Sequence, residues 1–216
     1  MLAGICLFCI SLSGQGQIDF RGQMSLNIEK KISQGFSVTT MLSGIWNNDY
    51  RELGFAYTDW GLKYKLNRQF SINANYRWLK RRNLDNFYDD RHIVYADLDY
   101  SKSKNKWSWG GTFRFQGLYY SRLFESYKTP RWYLRTRINL KYKLNYFYSV
   151  FAETELFFPL NKNPAHLPNQ WRCSLGFSRT INRYLKLELS EQVQRQVNVA
   201  SPNMNFLTAV VVSYKF

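Results

Sequence analysis

Residues 131–144 have the sequence RWYLRTRINLKYKL, in which the two sets of alternate positions differ in character. One set is apolar and aromatic and consists of Trp132, Leu134, Thr136, Ile138, Leu140, Tyr142 and Leu144. The other set is basic and polar and consists of Arg131, Tyr133, Arg135, Arg137, Asn139, Lys141 and Lys143. A period of two is typical of a β-strand whose faces meet different surroundings, whereas a helix would spread these charges over all its sides. The segment therefore predicts a strand.

The same alternation recurs from about residue 18 to the end of the chain, for example in residues 70–78, 107–119 and 146–158. Short breaks between the segments alternate with long ones, which is typical of the hairpins of an outer-membrane barrel. We therefore predict an all-β fold, an antiparallel up-and-down transmembrane β-barrel. About eleven segments can be counted, but bacterial single-chain barrels usually have an even number of strands and both termini in the periplasm. The prediction is 10–12 strands, with 12 preferred.

A soluble, lipocalin-like barrel would turn the apolar face inward, whereas a membrane barrel would turn it toward lipid. Aromatic side chains near the strand ends favour the membrane, because such rings settle at the headgroup level. The predicted aromatic girdle consists of Trp46, Trp60, Trp78, Trp107, Tyr119, Trp132, Tyr146, Trp171 and Tyr214. The mean hydropathy is −0.44, and past residue 12 no apolar stretch is long enough for a spanning helix. A helical membrane protein is excluded.

The N-terminal segment predicts export. Residues 1–10 are almost entirely apolar, and small and polar residues follow them up to residue 17, as in a secretory signal peptide. We predict a signal peptide over residues 1–17 and one barrel domain over residues 18–216. Cys6 and Cys9 would leave with the signal peptide, so the remaining Cys173 has no partner for an internal disulfide.

The polar face carries charges of both signs and is predicted to line the barrel lumen. This lumen cluster consists of Arg77, Arg91, Asp97, Asp99, Arg114, Arg131, Arg135, Arg137, Lys141, Glu153, Glu155 and Glu188. If the arginines of 131–137 line a water-filled passage, they form a positive ladder that selects anions. A tight turn at Asn145 makes the flanking strands neighbours and, since 145 is midway between 137 and 153, sets Arg135 and Arg137 across from the region of Glu153 and Glu155. Pairing of these charges favours a narrow, charge-filled lumen over an open pore.

The end of the chain resembles the C-terminal strand of bacterial outer-membrane barrels, because Phe216 follows alternating apolar residues. The residues of this predicted assembly signal are Val210, Val212, Tyr214 and Phe216. The resemblance implies contact with the barrel-assembly machinery. Residues 64–77, 91–100 and 135–144 further resemble a domain-of-unknown-function family of small outer-membrane barrels, which implies a barrel without implying an activity.

Enzymatic function has one candidate site. Asp89, Asp90 and His92 near a strand end invite comparison with the omptin-type barrel proteases, but alternation places His92 on the lipid face. No serine lies in a distinctive motif, and no metal-spaced cluster or phosphate loop occurs. We predict no catalytic site, no metal and no cofactor.

The net charge of +15 does not indicate nucleic-acid binding, because alternation puts rings and charges on opposite faces. The predicted partners are outer-membrane lipid and lipopolysaccharide and the assembly machinery. The first hypothesis for function is an outer-membrane barrel of structural or ligand-interacting role with a narrow lumen. The alternatives are a small anion-preferring channel and, with least support, a rim hydrolase.

Overall fold

The computed structural model describes residues 18–82, 87–120, 130–161, 167–199 and 201–216. The predicted signal peptide, residues 1–17, lies outside the described residues. The described part is built from strands alone: β1 (Ile18–Ser33), β2 (Phe36–Asn47), β3 (Glu52–Lys65), β4 (Phe70–Arg82), β5 (Tyr88–Lys104), β6 (Trp107–Tyr120), β7 (Arg131–Lys143), β8 (Tyr148–Pro159), β9 (Gln170–Thr180), β10 (Leu185–Gln196) and β11 (Met204–Lys215). It contains no helix long and apolar enough to cross a membrane.

The strands form a closed barrel in which each pairs with its neighbours in sequence, and β1 closes the ring against β11. The sequential pairs are antiparallel, as expected for a hairpin meander. The closing pair is parallel, with Ile18 opposite Met204 and Glu29 opposite Lys215. The predicted fold class is confirmed.

The preference for 12 strands is wrong for the described part of the chain, which has 11. Residues 18–33 form one uninterrupted strand rather than two. An odd number of strands linked by hairpins leaves the first and last running in the same direction, so only a parallel pair can close the barrel. As a consequence, Ile18 lies at the same end as Met204, and Phe216 lies at the opposite end. The expectation of both termini at one end does not hold for the described residues.

The tight turns lie at one end of the barrel and share a local cause. In three of them an asparagine side chain accepts two backbone hydrogen bonds, from the residues two and three positions further on. These asparagines are Asn67, Asn145 and Asn182, with distances of 2.8–2.9 Å. Such Asx turns replace the lost strand pairing locally. Of these three turns, the one at Asn145 was predicted from the sequence.

The distribution of polar residues is inverted relative to a soluble protein. The most buried side chains include the carboxylates Asp59, Asp97 and Glu155 and the hydroxyl of Ser178, whereas large apolar side chains such as Ile138 and Phe113 are about 60% or more exposed. Charged groups inside and apolar groups outside suit a barrel whose surroundings are lipid. The sheet therefore carries its polar residues toward the barrel axis, where the candidate site lies.

Candidate functional site

The barrel interior contains a cavity of about 630 Å³. Eight strands is roughly the size at which side chains just fill a barrel, and 16 leave an aqueous channel, so a barrel of 11 strands retains a narrow space. Its charged lining residues are six arginines and four carboxylates: Arg21, Arg77, Arg114, Arg135, Arg137, Arg172, Asp59, Glu153, Glu155 and Glu188. The cavity is thus polar and carries an excess of positive side chains.

One side of the interior, on β3 to β6, is balanced in charge. Arg77 donates to Asp59 Oδ2 from Nε (2.9 Å) and Nη2 (2.6 Å), and the Tyr95 hydroxyl donates to the same oxygen (2.5 Å). Arg114 binds Asp97 in a two-pronged pair of 2.6 and 2.8 Å. Each guanidinium therefore has its own carboxylate. We call these five residues the balanced wall.

Aromatic rings pack against the two guanidiniums of the balanced wall. The Arg114 guanidinium lies 3.9 Å from the centroid of the Tyr95 ring, and the Arg77 guanidinium lies 4.2 Å from that of Tyr57. The carboxylates hold the edges of the guanidiniums while the rings hold their faces. Both contacts favour a planar, delocalised cation, which is why arginine rather than lysine suits these positions.

The other side, on β7 to β9, has an excess of positive charge. Glu155 accepts from Arg135 (Nη2 to Oε1, 2.9 Å) and from Arg172 (Nη1 to Oε2, 3.2 Å). Arg137 stands directly opposite Glu155 in the strand register but forms no ion pair with it. We call Arg135, Arg137, Arg172 and Glu155 the basic wall.

Arg137 is the least engaged of the arginines that line the cavity. Its one hydrogen bond within the described residues runs from Nη2 to Thr112 Oγ1 at 3.3 Å, and its buried Nε has no partner there. The other five lining arginines each form an ion pair. Glu153, one inward-facing position along β8 from Glu155, has no ion pair among the described residues either. Among the described residues that line the cavity, Arg137 is thus an arginine without an ion pair and Glu153 a carboxylate without one, and both lie on the same side.

The register between β7 and β8 differs from the predicted one by two residues. Arg137 faces Glu155 and Asn139 faces Glu153, rather than Arg137 facing Glu153. The reason is that Asn145 is the first residue of its Asx turn and not the centre, because its side chain caps Phe147 and Tyr148. Arg135 stands opposite Phe157 in this register and therefore binds Glu155 diagonally, two residues along β8.

The remaining predicted lumen residues lie outside the lining of the cavity or at its margin. Near the turn end, Asp99 accepts from Thr112 (2.6 Å) and Asn73 (2.5 Å). Glu188, which does line the cavity, accepts from Lys186 (2.5 Å). Lys141 shares the inward face of β7 and forms no ion pair with a described residue.

At the loop end, Arg91 pairs with Asp89 (2.9 Å). The guanidiniums of Arg91 and Arg131 lie 5.0 and 5.2 Å from the ring of Tyr120. The mouth of the barrel on this side is therefore also lined by arginine.

Sequence reasoning missed two central charged residues, Asp59 and Arg172. Asp59 binds Arg77 and Tyr95, and Arg172 supplies the second guanidinium to Glu155. The alternation that identified the other lumen residues also applies here, because Asp59 lies between Thr58 and Trp60, and Arg172 follows Trp171. Applying the period of two to β3 and β9 places both residues on the polar face.

The predicted aromatic girdle occupies both ends of the barrel. Trp46, Trp78, Tyr119, Trp132 and Trp171 lie toward the loop end, and Trp107, Tyr146 and Tyr214 lie toward the turn end. Several of these rings pack in pairs, such as Tyr119 against Trp132 and Trp107 against Tyr142. Trp60 departs from the prediction, because it lies toward the middle of the length of β3 rather than near its end, and its ring stacks on Tyr76.

The predicted assembly-signal residues within β11 have their side chains on the outer face of the barrel. Val210, Val212 and Tyr214 alternate there with inward-facing residues, and Tyr214 packs on Phe216. The backbone of Phe216 is held by β1 through hydrogen bonds to Glu29 and Lys31 of 3.0 and 2.9 Å. The end of the chain is thus part of the barrel closure.

The three residues of the rim-hydrolase hypothesis do not converge. Asp89 faces the interior, where it binds Arg91, whereas Asp90 accepts from the indole of Trp78 on the outside (3.0 Å). His92 Nδ1 bonds the hydroxyl of Tyr76 at 2.7 Å, also on the outside. The other histidine, His166, lies outside the described residues. Within the described part of the chain, no group of His, Cys, Asp and Glu is arranged to hold a metal ion.

Comparison with known proteins identifies the fold and the family. The chain is similar to two solved structures that it matches almost end to end. With the NanC porin it shares 14% identity and a TM-score of 0.55, covering 92% of this chain and 99% of that one. With the KdgM porin, solved in complex with disordered oligogalacturonate, it shares 16% identity and a TM-score of 0.52, covering 92% and 98%. No curated protein matches the sequence.

The fold is therefore that of a porin-like outer-membrane β-barrel. A family model described as "Protein of unknown function (DUF2490)" matches residues 22–205, which confirms the resemblance to a domain-of-unknown-function family. The chain belongs to the DUF2490 family.

Proposed function

We propose that this chain is a small outer-membrane channel that prefers anions. The observation that carries the proposal is the basic wall beside the interior cavity, where two guanidiniums bind the carboxylate of Glu155 and Arg137, which has no ion pair with a described residue, stands opposite Glu155 in the strand register. A ring or row of fixed cations along a water-filled passage lowers the energy of a passing anion and raises that of a cation.

The distribution of pairs supports an open rather than a charge-filled lumen. The ion pairs of the balanced wall run between neighbouring strands, from β4 to β3 and from β6 to β5, and so lie along the barrel wall. They leave the cavity between the two walls free. The charge-filled lumen stays as the competing hypothesis, and it predicts no current.

Acidic saccharides are the first organic solutes to test. Their carboxylates match the planar fork of a guanidinium, which binds such groups with two parallel hydrogen bonds. The KdgM structure contains an oligogalacturonate, which is a fact about that protein and supports the choice of probe. The location that goes with this proposal is the outer membrane, where the aromatic bands contact lipid and lipopolysaccharide and the C-terminal strand contacts the assembly machinery.

The test is the reversal potential of the refolded barrel in a planar bilayer under a potassium chloride gradient. We expect a steady current with a reversal potential of the sign given by chloride preference. Arg137→Gln should move the reversal potential toward cation preference, and Glu153→Gln should move it the other way, because both free charges line the cavity.

Arg179→Gln is the matched control, since Arg179 is exposed on the outer face of β9 and its loss should leave the reversal potential unchanged. A heat-modifiable, folded barrel that carries no current would overturn the proposal and favour the charge-filled lumen. A cation-selective current would overturn the anion preference.

A further inference from the structure

On the outer face of the described strands, one charged side chain lies more than four positions from a strand end. On β10, Glu188, Ser190, Gln192 and Gln194 line the interior cavity, so alternation places Glu191 outside, and it is exposed. Glu191 is the seventh of twelve residues in its strand. Every other charged residue on the outer face of the described strands lies within four positions of a strand end.

Along β10 and toward β9, the neighbours of Glu191 on the outer face are apolar. Leu189 precedes it on the outer face of β10 and is about half exposed, Val193 follows it, and Leu175 stands opposite it on β9. Among the described residues, Glu191 has no ion pair. An ionisable group in the hydrocarbon belt is costly unless a partner satisfies it, and such a residue is by default a functional site.

Hydrogen-bonding groups extend from Glu191 across the neighbouring strands. Thr208 stands directly opposite it on β11, and the Thr208 hydroxyl lies 3.2 Å from that of Tyr50. On the other side, the Cys173 thiol contacts the hydroxyl of Thr154 at 3.5 Å. We call these five residues the outer polar strip.

Tyr50 reaches the strip because the β2–β3 loop folds over the outside of the barrel. Asn48, Asp49 and Tyr50 all adopt the left-handed conformation, which turns the loop outward. The ring of Tyr50 then lies against Gly22, where a Cβ atom would meet it at 2.8 Å. The hydroxyl of Tyr50 is thereby added to the strip at the seam between β1 and β11.

The strip contains both halves of a hydrogen-bonded pair side by side. Glu191 offers an acceptor on β10, and Thr208 offers a hydroxyl donor at the paired position of β11. A twofold axis that runs along the barrel between these strands brings the Glu191 carboxyl of each copy to the Thr208 hydroxyl of the other. Twofold interfaces are self-complementary in this way, with residue i contacting j and j contacting i.

We propose that the outer polar strip is the dimer interface at which a second copy of this chain binds within the membrane. The partner is a second copy because the strip supplies its own complement, whereas an apolar lipid chain would leave the Glu191 carboxyl unsatisfied. The proposal depends on the barrel lying in a membrane and is independent of whether the lumen conducts.

The test is the oligomeric state of the full chain reconstituted in lipid vesicles, measured by counting fluorescently labelled copies per vesicle at increasing dilution. We expect dimers for the wild-type chain and monomers for Glu191→Leu. Glu191→Gln, which keeps an amide oxygen as acceptor, should retain dimers. Glu153→Gln, the same chemical change inside the barrel, is the control and should leave the dimer intact.

A heat-modifiability gel checks that each variant is folded, and a cross-linking experiment places the interface. In a chain whose natural cysteines are replaced by serine, Thr208→Cys should be joined between copies by a short bifunctional maleimide, because the two 208 positions lie diagonally across the proposed twofold axis. Val94→Cys, on the outer face of β5 across the barrel, should not.

Wild-type monomers at every dilution, dimers that persist in Glu191→Leu, or cross-linking through position 94 instead of 208 would each overturn the proposal. None of these outcomes bears on the reversal potential, so failure here is distinguishable from failure of the proposed channel.

Discussion

The two walls of the barrel interior hold their arginines in different ways. On the balanced wall, Arg77 and Arg114 each bind a separate carboxylate, and both carboxylates are almost fully buried. On the basic wall, Arg135 and Arg172 share Glu155, and Arg137 has no carboxylate of its own within the described residues. The same residue type therefore serves stability in one region and leaves charge available to a solute in the other.

The difference follows from how many carboxylates bind the arginines, since two carboxylates bind the two arginines of the balanced wall and one binds those of the basic wall. A guanidinium with its own carboxylate is neutralised locally and adds little to the field in the cavity. A guanidinium that shares one keeps part of its charge, which acts on whatever occupies the cavity. Three substitutions test whether the two walls differ as described.

The largest effect is expected on the balanced wall, from Asp59→Asn. This change leaves the buried Arg77 without its charged partner and weakens the bond from Tyr95, so we expect the free energy of unfolding to fall by about 3–5 kcal/mol. Urea unfolding of the barrel in lipid vesicles measures it. Glu52→Gln removes the carboxylate partner of the more exposed Arg82 and should cost less than about 1 kcal/mol. Equal losses in the two variants would contradict the structural role of Asp59.

A smaller loss of stability, together with a change in selectivity, is expected from Glu155→Gln. Arg135 keeps its hydrogen bond to Gln116 (2.9 Å), and the basic wall already tolerates excess charge, so the loss should be about 2 kcal/mol. The reversal potential should shift further toward chloride preference, because Arg135 and Arg172 then lose the carboxylate that they share. If Asp59→Asn shifted selectivity as much as Glu155→Gln, the distinction between the walls would fail.

The smallest effect is expected from Phe157→Leu. The Phe157 ring centroid lies 4.3 Å from the Arg135 guanidinium and 5.1 Å from that of Arg172. Loss of these cation–π contacts should lower the free energy of unfolding by about 1 kcal/mol. Phe157→Tyr keeps the ring and should restore most of the stability. A leucine variant as stable as the wild type would show that carboxylate pairing alone holds the basic wall.

Much of the fold follows from local sequence. The alternation in residues 131–144 assigns one face of β7 to lipid and the other to the interior, and this assignment needs no information from other strands. The asparagines of the tight turns likewise act within three residues of themselves. Local signals of this kind predicted the fold class and the turn at Asn145.

The charge pairing inside the barrel was predicted only in part. That Arg135 and Glu155 lie on neighbouring strands follows from the turn between them, but their diagonal contact depends on where that turn is centred. The third member, Arg172, comes from β9, beyond a long loop whose residues 162–166 lie outside the described part. A period of two cannot fix register across such a loop, because a shift of two residues preserves every face.

The sequence by itself determined that this chain is a barrel with an apolar exterior and a charged interior, because side-chain alternation is a property of single strands. Only the tertiary structure decided that the barrel closes through a parallel pair of β1 and β11 and that Arg135 and Arg172 meet at Glu155. It also decided that Glu191 and Thr208 stand side by side on the outer face. Each of these depends on the relative shift of strands around a closed ring, which is set by all the strand pairs together.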